Sequence, residues 1–158
     1  MSNSYADKYR RVDFKKNPEK YCIGRGEQGV LIAEPYKSEI LPHWRFKTPA
    51  IAKESATKIY ELFLSYKNKN DFVGMDMARK FLQMGFTRSR RYANHASGKK
   101  YDEGIVRPQD DNSEESDKAK SAKIFLEFYQ KAKNDELYKK LYKIYKALEK
   151  ENQTDKKI

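Results

Sequence analysis

Apolar positions recur at three- and four-residue spacing over much of the chain. Ile51, Ser55, Ile59, Leu62, Phe63 and Tyr66 fall on one stripe of a helix over about 49–66, which Thr48-Pro49 opens with an N-cap hydroxyl and a proline at the first helical position. Asp71 can cap a second helix whose buried side is Val73, Met77, Phe81 and either Ala78 or Leu82, with Gly85 as its left-handed stop. Thr87 then opens a short helical turn carrying Arg88, Arg90 and Arg91. Two amphipathic helices follow at about 117–132 and 135–150, the second with Leu137, Leu141, Ile144, Tyr145 and Leu148 on one side and Asn134-Asp135 at its start. Their short connection makes them a helical hairpin.

The N-terminal third follows a different pattern. Tyr21-Cys22-Ile23 and Val30-Leu31-Ile32-Ala33 are β-favouring runs separated by Gly24-Arg25-Gly26-Glu27-Gln28-Gly29, and Trp44-Arg45-Phe46 reads as a third extended piece. The expected fold is therefore α+β: a small N-terminal antiparallel sheet or hairpin packed on two or three helices, followed by the C-terminal helical hairpin. The corresponding division is a flexible basic arm over 1–17, a core domain over 18–101, an acidic linker over 102–116, the hairpin over 117–150 and a disordered tail over 151–158.

Composition sharpens the picture. Aromatic residues make up 13% of the 158 residues, enough bulk to bury despite 36% charged residues, so the chain reads as folded. The net charge of +11 lies wholly in the first hundred residues, which hold 21 Lys and Arg against 10 Asp and Glu. Its densest part runs from Met77 to Tyr101, where seven basic residues meet no acid. Such a field favours polyanions. The single cysteine, Cys22, excludes an internal disulfide framework, and His43 and His95 stand at no metal-ligand spacing, so no metal and no cofactor are expected. The polar N-terminus and the lack of an apolar run of about 20 residues point to a cytoplasmic protein that does not span a membrane.

Two constellations carry candidate chemistry. Arg79, Lys80, Arg88, Arg90 and Arg91 could fork onto phosphates, with Tyr92 or Phe86 stacking on an exposed base and Lys99 and Lys100 extending the patch. Trp44, between His43 and Arg45, is a further stacking candidate, although core packing suits it better. The glycine loop is the second. Gly24-x-Gly26-x-x-Gly29 matches a phosphate-binding pattern, but a β-rich stretch follows it where a helix N-terminus would be needed, so turn formation is the simpler role. In the alternative role, Gly24, Arg25, Gly26 and Gly29 touch a phosphate. Two helices joined at Lys67–Asn70 invite comparison with a helix-turn-helix, but apolar Phe72, Val73 and Met75 occupy the place where base-reading residues belong.

The strings Gly24-Arg-Gly-Glu-Gln-Gly-Val-Leu, Glu34-Pro-Tyr-Lys-Ser-Glu-Ile-Leu-Pro-His-Trp-Arg-Phe and Asp71-Phe-Val-Gly-Met-Asp-Met-Ala-Arg-Lys-Phe-Leu-Gln-Met-Gly-Phe-Thr-Arg-Ser-Arg-Arg-Tyr-Ala-Asn resemble a domain-of-unknown-function family. Its members are small cytoplasmic proteins of bacteria and fungi, and the likeness covers about residues 18–101. The resemblance implies no activity, cofactor or catalytic residue. The first functional expectation is DNA or RNA binding through phosphate contacts. The alternatives are a small protein or enzyme that binds a phosphorylated ligand with the Gly24–Gly29 loop, and an interaction module for an acidic protein. No catalytic residue is expected, and self-association through the C-terminal helices is a further expectation.

Overall fold

The segment Phe72-Val-Gly-Met-Asp-Met-Ala-Arg-Lys-Phe-Leu82 has little polar face, and the rest of the molecule wraps around it. The computed structural model describes residues 9, 11–94, 101–102, 105–106 and 116–155. Its elements are α1 (Tyr36–Ile40), α2 (Pro49–Asn68), α3 (Phe72–Asn94), β1 (Tyr101–Asp102), β2 (Ile105–Val106), α4 (Asp117–Lys133) and α5 (Glu136–Asp155). Every residue from Phe72 to Leu82 is buried, as a helix at the centre of a core must be.

Local signals set most helix starts. Thr48 Oγ1 accepts from the Ile51 N–H at 3.2 Å, and Asp71 Oδ1 accepts from that of Gly74 at 3.0 Å. Ser116 Oγ accepts from Ala119 N at 3.1 Å, and Asp135 Oδ1 from Tyr138 N at 3.0 Å. Each satisfies an N–H that the first helical turn leaves without a partner. Helices α2, α3 and α4 pack against one another, with Ile59, Phe63, Phe81 and Phe125 fully buried between them. Helix α5 folds back so that Phe72 stacks on Tyr138 and Tyr145, at ring separations of 5.6 and 4.5 Å.

The architecture is helical, and the expected α+β class is wrong. Residues 11–46 form no strand: they run through turns, two 3₁₀ turns and the short α1. The cause lies in the glycine loop, where Gly24, Gly26 and Gly29 take φ of 67, 57 and 81°. In that left-handed region the chain coils, and the turns close through Gln28 N to Arg25 O, Val30 N to Glu27 O and Ile32 N to Gly29 O. The β-favouring runs are too short to overcome this, and Tyr21, Ile23, Val30 and Ala33 drop singly into the core. Among the described residues the one extended pairing is β1 with β2, two residues on each side.

Two further expectations change. Helix α3 continues through Gly85 instead of stopping there, so the separate turn at Thr87 belongs to the same 23-residue helix. Tyr9 and Phe14 are buried in an edge-to-face contact at 4.5 Å, so the expected loose arm is packed from residue 9 onward where it is described. Most of the 102–116 linker and the end of the tail lie outside the described residues.

Candidate functional site

Asp76, Arg79 and Lys80 stand at i, i+3 and i+4 on α3, so their side chains leave one face of the helix together. All three are in the interior, at 0, 6 and 0% exposure. Asp76 Oδ1 accepts from Arg79 Nη2 at 2.5 Å and from the Tyr138 hydroxyl at 2.6 Å, while Oδ2 accepts from the Tyr21 hydroxyl at 2.5 Å. Lys80 Nζ lies 3.6 Å from Oδ2, donates to Gln28 O at 2.7 Å and sits 4.7 Å above the centre of the Tyr21 ring. Arg79 Nε donates to Tyr138, and Nη1 donates to Gly26 O at 2.6 Å and to Gln83 Oε1 at 2.8 Å.

The protonation states follow from this packing. Burial would raise the Asp76 carboxyl, but the charges of Arg79 and Lys80 and the Tyr138 and Tyr21 hydroxyls together hold it below the usual carboxylate value. Burial pulls the Lys80 ammonium down to about 8 against the opposing pull of Asp76. Tyr21 and Tyr138 are pushed up, first by burial and then by the neighbouring Asp76 charge.

The glycine loop closes over this cluster in an orientation opposite to a phosphate loop. Its carbonyl oxygens face cations: Gly24 O takes Lys146 Nζ at 2.9 Å, Gly26 O takes Arg79 and Gln28 O takes Lys80. The Gly24 N–H is already engaged by Glu149 Oε1 at 3.3 Å. Gly29 lies away from this edge, against the Tyr9 ring, and Arg25 is exposed.

Between the loop and the α4–α5 hairpin lies a cleft of about 960 Å³. Gly24, Gly26, Arg79 and Gln83 line it on one side, Tyr129 and Lys133 from α4 and Tyr138, Tyr142 and three lysines from α5 on the other. Those lysines, Lys139, Lys140 and Lys143, are exposed, as is Lys133. Glu136 is the one carboxylate in the lining, 3.4 Å from Lys139. Arg79 and Gln83 are the side chains through which α3 reaches this cleft.

The residues expected to form one basic patch are divided by the structure. Arg79 and Lys80 are interior and held by Asp76, so the outer surface of α3 cannot present them to a phosphate backbone. Arg88 and Arg91 are exposed at the far end of the helix, and Arg90 is half-buried and engaged within the fold. Tyr92, 40% exposed, lies 6.2 Å from the Phe46 ring with Lys118 Nζ above both. Trp44 packs on Phe46 and Phe81 at 5.1 and 6.2 Å. His95, Lys99 and Lys100 lie outside the described residues. The sequence reading missed Asp76 and the cleft wall from α5. The spacing Asp76-x-x-Arg79-Lys80 inside an apolar run was the available signal for the first.

Among the described residues no cluster of three or more His, Cys, Asp or Glu could hold a metal ion, and no helix is long and apolar enough to cross a membrane. No curated protein and no solved structure matches the chain. A family match runs over residues 4–148, beyond the expected 18–101 and through most of the helical hairpin. The cleft, with walls from both parts, thus lies within one family unit, and the chain belongs to the domain of unknown function family DUF4385.

Proposed function

We propose that the protein binds a phosphorylated small molecule in the cleft between the glycine loop and the α4–α5 hairpin. One observation carries this reading: the buried cluster holds two cations, Arg79 and Lys80, against one carboxylate, Asp76. A buried charge without a counter-ion is costly. The next pair, Lys146 with Glu149 at 3.1 Å, is balanced in itself and leaves the surplus in place. Of the cluster's two cations Arg79 lines the cleft, where four lysines stand with the single carboxylate of Glu136.

An anion entering there would meet the Arg79 guanidinium and the Gln83 amide under a rim of exposed lysines. The volume lies within the usual range of small-molecule sites, roughly 300–1,000 Å³. The loop serves as a wall, since its carbonyls face inward and its Gly24 N–H is taken.

Thermal unfolding with millimolar pyrophosphate or tripolyphosphate at low ionic strength tests the proposal. Binding stabilises by linkage, by about 2.7 kcal/mol when ligand exceeds Kd a hundredfold. The melting temperature is expected to rise, and the rise to vanish in a Lys139→Glu, Lys140→Glu, Lys143→Glu variant whose unliganded melting point is unchanged. No rise with either anion, or a rise that survives the triple replacement, overturns the reading.

A further inference from the structure

We infer that the ligand of the cleft is a nucleotide, with its phosphates at the Arg79–Gln83 end and its base against Tyr129 and Tyr142. The inference rests on the anion-binding reading above and adds the part of the ligand that is not phosphate.

The lining has two chemistries. Arg79 and Gln83 line the side beside the glycine loop, while the hairpin supplies the aromatic rings together with four lysines. Of the three tyrosines, Tyr138 is committed: it is 3% exposed, stacked on Phe72 and hydrogen-bonded to Asp76 and Arg79. Tyr129 and Tyr142 are different. Both are half-buried, Tyr142 with its ring 5.8 Å from that of Tyr138 and Tyr129 with Lys133 Nζ 5.7 Å from its ring centre. They come from different helices of the hairpin, and both line the cleft.

Aromatic faces beside fixed cations suit a ligand that joins a flat ring to a polyanion. A bare phosphate or a short phosphate chain would use the cations and leave the tyrosines and Ile144, 49% exposed, without a partner of matching shape. A sugar phosphate would use the phosphate end and place a polar ring on an aromatic wall. Asn134 and Glu136, at the turn between α4 and α5, supply the acceptors that ribose hydroxyls need.

Calorimetric titration of the full chain with ATP, ribose 5-phosphate and tripolyphosphate, at one low ionic strength, separates the possibilities. ATP is expected to bind at least tenfold more tightly than tripolyphosphate, the scale of one base stacked on an aromatic ring. Tyr142→Leu is expected to remove that preference while leaving tripolyphosphate affinity in place. Tyr142→Phe, which keeps the ring, should retain it and so exclude a folding defect. Equal affinity for ATP and tripolyphosphate overturns the nucleotide and leaves the anion cleft standing. Binding of none of the three removes the anion cleft, and the nucleotide with it. A single-stranded oligonucleotide that binds where ATP does not also overturns the inference.

Discussion

Gly85 on α3 and Phe125 on α4 are in direct contact: a methyl group built on Gly85 would overlap the Phe125 ring, with Cε1 only 2.5 Å away. The two helices approach closely because no side chain stands between their axes here. Alanine would gain about 1 kcal/mol of helix propensity. Overpacking a well-filled core costs typically 1–3 kcal/mol, and here the obstacle is a fully buried ring. Gly85→Ala is therefore expected to lower stability by up to about 2 kcal/mol in urea unfolding. Adding Phe125→Leu should recover part of that loss, as a positive coupling in the double-mutant cycle. Equal losses with and without Phe125 would show that the ring is not the obstacle.

That contact also explains what the sequence made legible. Thr48-Pro49, Asp71 and Asp135 announce their helices because a cap is a local device, complete within four residues. Gly85 has the same local appearance whether it ends a helix or admits a neighbouring ring, and the choice is made by Phe125, forty residues on. The glycine loop misled for a related reason: its flanking runs favour strands, but three positive φ angles coil it, and the cations under its carbonyls come from α3 and α5. The acid-free stretch after Asp76 reads as a phosphate-binding patch because the carboxylate that holds Arg79 and Lys80 stands just before it. The family likeness at 18–101 marked the core, and the cleft needed the hairpin beyond.

Ser89 on α3 and Ser121 on α4 are both 0% exposed, and neither hydroxyl has a hydrogen-bond partner among the described residues. A buried unpaired hydroxyl costs about 1–3 kcal/mol, and alanine is also the better helix former. Ser89→Ala and Ser121→Ala are each expected to raise stability by about 1 kcal/mol in chemical denaturation. A lowered midpoint in either variant would mean that the hydroxyl is bonded in solution, for instance to an interior water.

Asp76 and Lys80 should respond unequally to replacement. Asp76→Asn keeps the shape but leaves Arg79 and Lys80 buried without a counter-charge, a change that costs about 3–5 kcal/mol. Lys80→Met removes the surplus cation and leaves the Asp76–Arg79 pair balanced, at the expense of one donor to Gln28 O. The expected order of stability is wild type or Lys80→Met above Asp76→Asn, with at least ~2 kcal/mol between the two variants. If Lys80→Met is as damaging as Asp76→Asn, the charge surplus does not exist, and the argument for an anion in the cleft loses its footing.

Stability against pH reads the same lysine directly. Its folded value of about 8 lies below the ordinary 10.5, so between those limits the unfolded chain binds a proton that the folded chain has released. Stability rises with pH wherever the unfolded state holds more protons, here by at most ~1.4 kcal/mol per unit. Tyr21, Tyr36, Tyr66 and Tyr138 act in the opposite sense above their ordinary 10.0, because burial and nearby carboxylates keep them protonated in the fold alone. The melting temperature is thus expected to climb from about pH 8 towards 10 and then to fall. Lys80→Met keeps the tyrosines and should show the fall without the climb, so the difference between the two profiles isolates Lys80. Parallel profiles from pH 7 to 10.5 would place the Lys80 proton at its ordinary value and leave the ammonium no longer strained by burial.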